Sequence, residues 1–374
     1  MNKVIIASAG SGKTHRIVID AIALASSGRF VLITTFTNAC ELEIKNKIIQ
    51  ILGYIPQKIL VQTWFSFLIE HGVKPFQGKL FNFDIKGMEL VPGKSGLRFI
   101  DKDKNPIFWG ENNFLEFFFN KRTEIYSDKL SLLVLRCNEK SAGLVFERIS
   151  KCFQHIFVDE VQDLAGYDLD VLELIFKSTS TVTLVGDPRQ ATYSTHMSKK
   201  YEKYAKSLIF DFFNDHRINF CIDIDSTSLT KNYRCNDLIC NFSNSIYPNL
   251  PHAESGNITT TEHDGVFVID SLDVEKYLLK FNPVQLHENK KSKFNPQFQR
   301  MNFGKSKGLT FDRVLILPST PMKDWLVREK EMGSAAMAKF YIAVTRAKFS
   351  VAIILERKLH SKVKNVPVYS FSDA

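Results

Sequence analysis

No stretch of this 374-residue sequence approaches the 18 or so consecutive apolar residues of a membrane-spanning helix, so no membrane partner is expected. The opening run Met1-Asn2-Lys3-Val4-Ile5-Ile6 passes straight into a glycine-containing loop, which leaves no room for a secretory leader. None of the six cysteines (Cys40, Cys137, Cys152, Cys221, Cys235, Cys240) forms a Cys-x-x-Cys pair. Cys235 and Cys240 lie five apart with no second pair to complete a zinc or iron–sulfur site. Buried free thiols in a reducing cytoplasm fit this usage better, and a cytoplasmic location is the expectation. There is no internal repeat and no low-complexity tract. A separate carboxylate–lysine cluster that would point to a fused nuclease is also missing.

What is there is ordinary for a globular chain, with 44% hydrophobic and 24% charged residues. The length allows two or three domains with sizeable cores. Lys and Arg number 49 against 40 Asp and Glu, a net charge of +9 that suits a polyanionic partner such as nucleic acid. A solvated basic surface would account for the same excess. The 31 phenylalanines supply core, and could also supply surface for stacking on bases.

Apolar runs at Val4–Ala7, Phe30–Thr34, Ile156–Val158 and Val182–Val185 read as buried strands. Helical spacing of Ile17, Val18, Ala21, Ile22 and Ala25, and the segment Glu41–Leu52, alternate with them. Such alternation predicts an α/β fold with parallel sheets flanked by helices. Residues of about 75–145 mix Gly, Lys, Asp and aromatics around the turn signal Asp101–Pro106 and read as an insertion in the first domain. A second α/β region starts near Leu229, with strands expected at Val266–Ile269, Val314–Leu317 and Val351–Leu355, and a polar loop at Glu288–Arg300. The expected domains are 1–228 and 229–374, the second with a residual insertion or loop of about 245–303.

The loop Ala7-Ser8-Ala9-Gly10-Ser11-Gly12-Lys13-Thr14 has P-loop form, with alanine where the commonest pattern has its first glycine. Gly10 and Gly12 let the backbone curl so that the N–H groups of Ala9, Gly10, Ser11 and Gly12 can face phosphate oxygens. The following helix offers its positive end. Lys13 is expected to reach the β- and γ-phosphates, Thr14 to offer a hydroxyl to Mg²⁺, and His15 to lie next to the nucleotide. Its place between an apolar strand and a helix separates this loop from an incidental Gly/Ser turn. The second anchor is Phe157-Val158-Asp159-Glu160-Val161-Gln162-Asp163, an acidic pair at a strand end. There Asp159 would hold the Mg²⁺ and Glu160 would orient and deprotonate the attacking water. On its own it would equally fit a solvated acidic cluster; the P-loop upstream favours function.

At Asp159-Glu160-Val161-Gln162-Asp163 the chain resembles the UvrD/Rep/PcrA family of superfamily 1 helicases, and further motifs follow in that family's order. Thr35-Phe36-Thr37-Asn38 with Glu43, and Val61-Gln62-Thr63-Trp64-Phe65-Ser66, resemble motifs Ia and Ib. Val185-Gly186-Asp187-Pro188-Arg189-Gln190 with Tyr193, and Asn232-Tyr233-Arg234, resemble motifs III and IV. Ser306-Lys307-Gly308-Leu309-Thr310-Phe311 and Tyr341–Ala347 resemble motifs V and VI. The resemblance implies two RecA-like P-loop domains. It implies an ATP- and Mg²⁺-dependent 3′→5′ helicase or translocase acting on single-stranded or tailed DNA. By the same resemblance Gln190 would sense the γ-phosphate, Tyr233 would stack on adenine, and Arg234 and Arg346 would reach the γ-phosphate from the second domain. Gly308 and Thr310 would border the nucleotide. Cleft closure on ATP and reopening on hydrolysis would then move the strand.

Phe36, Trp64, Phe65 and Tyr193 are candidates to stack on bases, with burial in the core the alternative for each. Thr37, Ser66 and Lys307 are candidates for backbone phosphates. The sequence departs from the family in several places. Only six residues precede Ala7, where the family carries an adenine-reading glutamine motif, so relaxed base selectivity is expected. Thr195 and His196 stand where the family has tryptophan and arginine, and about sixty residues replace the usual large accessory domain after Asn244. A reduced or absent accessory domain is therefore expected. A second reading follows: a nucleic-acid-sensing regulatory ATPase that controls a partner such as a nuclease without processive unwinding.

Overall fold

The computed structural model describes all residues except 193, 194, 196–199, 289–293 and 372–374. Tyr193 and His196 thus lie outside the described residues. The chain separates into two compact units. The first comprises Met1–Ile5, Thr14–Pro188 and Tyr193–Asp225; the second comprises Ile6–Lys13, Arg189–Thr192 and Ser226–Ala374.

The first unit is built on strands β1 (Asn2–Ile6), β2 (Val31–Thr35), β3 (Ile59–Thr63), β4 (His155–Val158), β5 (Thr181–Gly186) and β6 (Ile222–Asp225). Their order in the sheet is β6-β1-β5-β4-β2-β3. The registers of β1 with β6, β2 with β3 and β4, and β4 with β5 are all parallel. β2 and β4 bury every residue, the mark of strands covered on both faces. Helices α1 (Lys13–Ser26) and α2 (Asn38–Leu52) follow β1 and β2. α1 turns Ile17, Val18, Ala21 and Ala25 to the sheet, the positions that gave its helical period. β3 and β6 were missed in the sequence: β3 is five residues long and shows half-buried alternation, and β6 holds two aspartates.

The second unit has strands β7 (Gly265–Asp270), β8 (Val284–His287), β9 (Arg300–Asn302), β10 (Phe311–Ile316) and β11 (Ala347–Leu355), in the order β7-β11-β10-β8-β9, with every pairing parallel. Helices α3 (Asp237–Ile246) and α4 (Ser334–Val344) pack in the same core as β7, β8, β10 and β11. β8 escaped the sequence reading because Gln285 and His287, polar at alternate positions, are both buried. Gln285 is held by Asn295, whose backbone oxygen accepts from Nε2 at 2.8 Å and whose N–H donates to Oε1 at 3.0 Å. The described part of the expected loop at 288–300 therefore braces an inner strand, and the end of that range opens β9. Two parallel α/β sheets of this kind are RecA-like.

The 75–145 region holds a parallel strand pair, Gly87–Glu89 with Glu124–Tyr126, and an antiparallel hairpin of Leu97–Ile100 with Pro106–Phe108. It ends in a helix, Leu130–Lys140, whose Leu130, Leu133, Val134 and Cys137 are fully buried. The six cysteines are all free. Cys137, Cys235 and Cys240 are buried, but Cys221 is exposed, which corrects the expectation of buried thiols throughout. No helix among the described residues is long and apolar enough to cross a membrane.

Two buried histidines tie stability to pH. Burial, aided by Arg29, lowers the His155 pKa to about 4; burial, aided by Arg313 and Lys280, does the same for His263. His263 lies between the rings of Phe267 and Phe281, with Nε2 2.7 Å from the Tyr277 hydroxyl. An unfolded chain would protonate both near pH 6.5, whereas the folded chain resists until about 4. Their contribution to stability is thus complete above 6.5 and is lost as pH falls towards 4. Thermal melts should fall in midpoint from pH 7 to pH 5, and His263→Phe should flatten that slope.

Candidate nucleotide and nucleic-acid site

β1 delivers the chain into the P-loop. Gly10 and Gly12 take φ of +68° and +83°, the left-handed conformation that favours glycine. Ser11 closes the loop by donating from Oγ to Ser8 O at 2.8 Å. Within the second unit this loop is fixed by three backbone contacts. Ser8 N–H donates to Leu229 O (2.9 Å), Ala9 N–H to the Tyr341 hydroxyl (3.3 Å), and Tyr233 N–H to Gly10 O (3.0 Å). A Cβ on Gly10 would overlap Asn232 Oδ1 and stand 2.9 Å from Arg234 Cβ. Gly10→Ala therefore meets both a left-handed backbone and a steric wall, at a cost of about 1–3 kcal/mol. A lower melting midpoint together with weakened nucleotide binding is the expected measurement.

Asn232 carried no role of its own in the motif IV match, yet its Oδ1 accepts from the N–H groups of Arg234 (2.8 Å) and Cys235 (3.0 Å). Arg234 donates from Nη1 to Thr345 O at 3.0 Å. The Arg346 guanidinium is 1% exposed. It donates to Ile342 O (3.1 Å), Leu309 O (3.3 Å), Thr345 Oγ1 (3.2 Å) and Gln190 Oε1 (3.5 Å). The second unit thus joins predicted residues from motifs III, IV, V and VI and the loop Ala9–Gly12. Tyr233 is 63% exposed, a ring open to stacking. Gly308 (φ +86°) and Thr310 are exposed, and Lys307 is half-buried. His15 points to solvent.

In the first unit, Thr14 Oγ1 lies 3.4 Å from Asp159 Oδ2. A hydroxyl and a carboxylate brought together are hard oxygen donors of the kind Mg²⁺ takes, which fits the expected metal. Two protein oxygens suffice for Mg²⁺, which keeps waters and phosphate oxygens as its other ligands; among the described residues no three His, Cys, Asp or Glu side chains gather into a metal cage. Glu160 takes φ +57°, ψ +38°, rare for a non-glycine residue. Its N–H donates to Asp159 Oδ1 at 2.9 Å, and its carboxylate accepts from Gln162 Nε2.

The candidate nucleic-acid residues separate. Phe36 is half-buried and meets Phe65 at 5.9 Å between centroids; Phe65 is buried. Trp64 is 1% exposed and donates from Nε1 to Asp168 Oδ1 at 2.8 Å, so it is core and presents no face for a base. Thr37 caps α2 by accepting from Cys40 N at 3.2 Å, and Ser66 Oγ accepts from Thr63 at 2.8 Å. Each hydroxyl can still donate outward.

The Asp168 carboxylate also accepts from Ser131 Oγ, Thr195 Oγ1 and Ala165 N. Thr195, which stands where the family has tryptophan, is thus a buried strut. Asp168→Ala strands these donors and should cost about 2–4 kcal/mol, since each unsatisfied buried group costs about 1–3. Trp64→Phe removes one donor and should cost less; denaturant titration of both variants compares them.

The family profile described as the UvrD/REP helicase N-terminal domain matches residues 1–73 and 112–201. DNA helicase II of Haemophilus influenzae is 26% identical over 314 residues, covering 71% of this chain and 41% of that protein. The ATP-dependent DNA helicase Rep of Buchnera aphidicola subsp. Schizaphis graminum is 26% identical over 236 residues (52% and 36%). Gabija protein GajB of Bacillus cereus is 27% identical over 248 residues (65% and 46%). The aligned part of this chain thus spans less than half the length of these relatives. A solved structure of Arterivirus nonstructural protein 10, a helicase with DNA, covers 95% of this chain and 60% of its own, at TM-score 0.47 and 16% identity. With the P-loop, the Asp159-Glu160 strand end and the matched N-terminal domain together, these similarities support a helicase of the UvrD/Rep family.

Proposed function

We propose that the chain is an ATP-dependent DNA translocase or helicase that moves 3′→5′ on single-stranded DNA. The observation that carries this reading is the pairing of Thr14 with Asp159, at 3.4 Å, directly after a P-loop whose two glycines hold positive φ. In this reading the N–H groups of Gly10 and Gly12 and the Lys13 ammonium cradle the phosphates of ATP, while the Ala9 N–H is held by the Tyr341 hydroxyl. Thr14 and Asp159 would hold Mg²⁺, which neutralises charge on the β- and γ-phosphate oxygens. Glu160 takes a proton from the attacking water as its oxygen bonds to the γ-phosphorus and the bond to the β–γ bridging oxygen breaks. Arg234 and Arg346 stabilise charge on the equatorial oxygens, and Gln190, bonded to Arg346, reports phosphate state. Tyr233 stacks on the base.

Phe36, Thr37, Ser66 and Lys307 are the residues assigned to DNA, with Tyr193; Phe65, buried, packs behind Phe36. The +9 charge favours that polyanion. Strand displacement on 3′-tailed and 5′-tailed duplexes tests polarity: unwinding of the 3′-tailed substrate alone is expected. Unwinding of the 5′-tailed substrate alone would reverse the polarity. DNA-stimulated hydrolysis with no unwinding of either would replace helicase action with translocation or sensing alone.

A further inference from the structure

Gln162 is 1% exposed and uses both ends of its amide. Its Nε2 donates to a Glu160 carboxylate oxygen, and its Oε1 accepts from the Asp187 backbone N–H at 3.1 Å. The space it occupies is reserved by Gly186. A Cβ there would overlap Gln162 Oε1 and stand 2.9 Å from Val161 Cγ1. Gly186 has an ordinary backbone, so it is small for Gln162 and Val161 and not for a turn. Glu160 itself sits on a strained left-handed backbone, with its N–H turned to Asp159. Such a conformation persists only where surrounding contacts over-determine it.

We propose that Gln162 is a positioning residue for Glu160: it fixes the carboxylate against the end of β5, at Gly186–Asp187, and so sets where the attacking water is held. The proposal rests on the reading of Glu160 as the hydrolytic base. A glutamine suits the task because it presents a donor and an acceptor from one planar group. Buried and paired at both ends, it has a single orientation, and a misplacement of about 1 Å of a reacting group costs about 10²-fold in rate.

The test separates the two ends of the amide. Gln162→Glu keeps an oxygen for the Asp187 N–H but replaces the donor to Glu160 with a second carboxylate. Gln162→Met keeps the volume and loses both bonds. Steady-state hydrolysis of MgATP by the full chain, with and without single-stranded DNA, is measured beside ATP affinity by equilibrium binding. Both variants are expected to lose about 10–10²-fold in kcat with KM and ATP affinity changed by less than threefold. A Gln162→Glu variant with wild-type kcat would overturn the proposal, because anchoring of Asp187 would then be all that matters. So would a loss confined to KM. Wild-type hydrolysis and its loss in Lys13→Ala report separately on the reading beneath it: absence of any wild-type activity in a folded chain would remove that reading, whereas activity insensitive to Gln162 removes only this inference.

Discussion

Arg346→Ala is expected to lower ATP turnover by about 10³–10⁵-fold, the range spanned by an arginine that stabilises a transferring phosphoryl group. The size follows from where the guanidinium sits. It is 1% exposed and held by the carbonyls of Ile342 and Leu309, by Thr345 Oγ1 and by Gln190 Oε1. Four fixed acceptors orient a planar fork before substrate arrives, so little reorganisation accompanies the reaction. Arg346→Lys keeps the charge but cannot span those acceptors, and should recover little activity. Truncation also leaves buried carbonyls short of donors, at about 1–3 kcal/mol, so turnover is to be read on protein shown to be folded by its melt. A folded Arg346→Ala chain within tenfold of wild-type kcat would remove this residue from the reaction.

Lys13→Ala should reduce hydrolysis by about 10²–10³-fold, the usual loss for one preorganised donor to developing charge. Lys13 opens α1 directly after the left-handed Gly12, so its ammonium and the helix N-terminus act on the same anion. Lys13 is half-exposed, not part of the buried core. The melting midpoint should therefore stay within a few degrees of wild type while turnover collapses. Nucleotide affinity should fall as well, since the charge meets the phosphates in the ground state too. Unaltered turnover would mean that this loop does not bind the reacting phosphate.

Much of the fold was legible because its strands are continuous apolar runs. β2 and β4 bury every residue and stood out at once. β8 did not, because burial of Gln285 depends on bonds to Asn295, and β6 did not, because its two aspartates interrupt the apolar run. The acidic pair and the P-loop were legible as motifs. Their spacing could not convey that Glu160 is left-handed, that Gln162 bridges it to Asp187, or that Asn232 walls Gly10. Those facts depend on residues brought together from distant parts of the chain. Trp64 shows the limit most plainly. An aromatic at a sheet-end loop suits a base or a core equally, and the deciding partner, Asp168, lies 104 residues away.

The proposed function makes one central claim, that DNA-linked hydrolysis of ATP takes place at this P-loop. It is tested most directly by the rate of phosphate release from MgATP by the purified full chain, with and without single-stranded DNA. The account predicts hydrolysis that single-stranded DNA stimulates and that disappears, stimulated and basal rates alike, in Lys13→Ala. A folded chain that binds DNA yet releases no phosphate, or whose phosphate release survives Lys13→Ala undiminished, would contradict it.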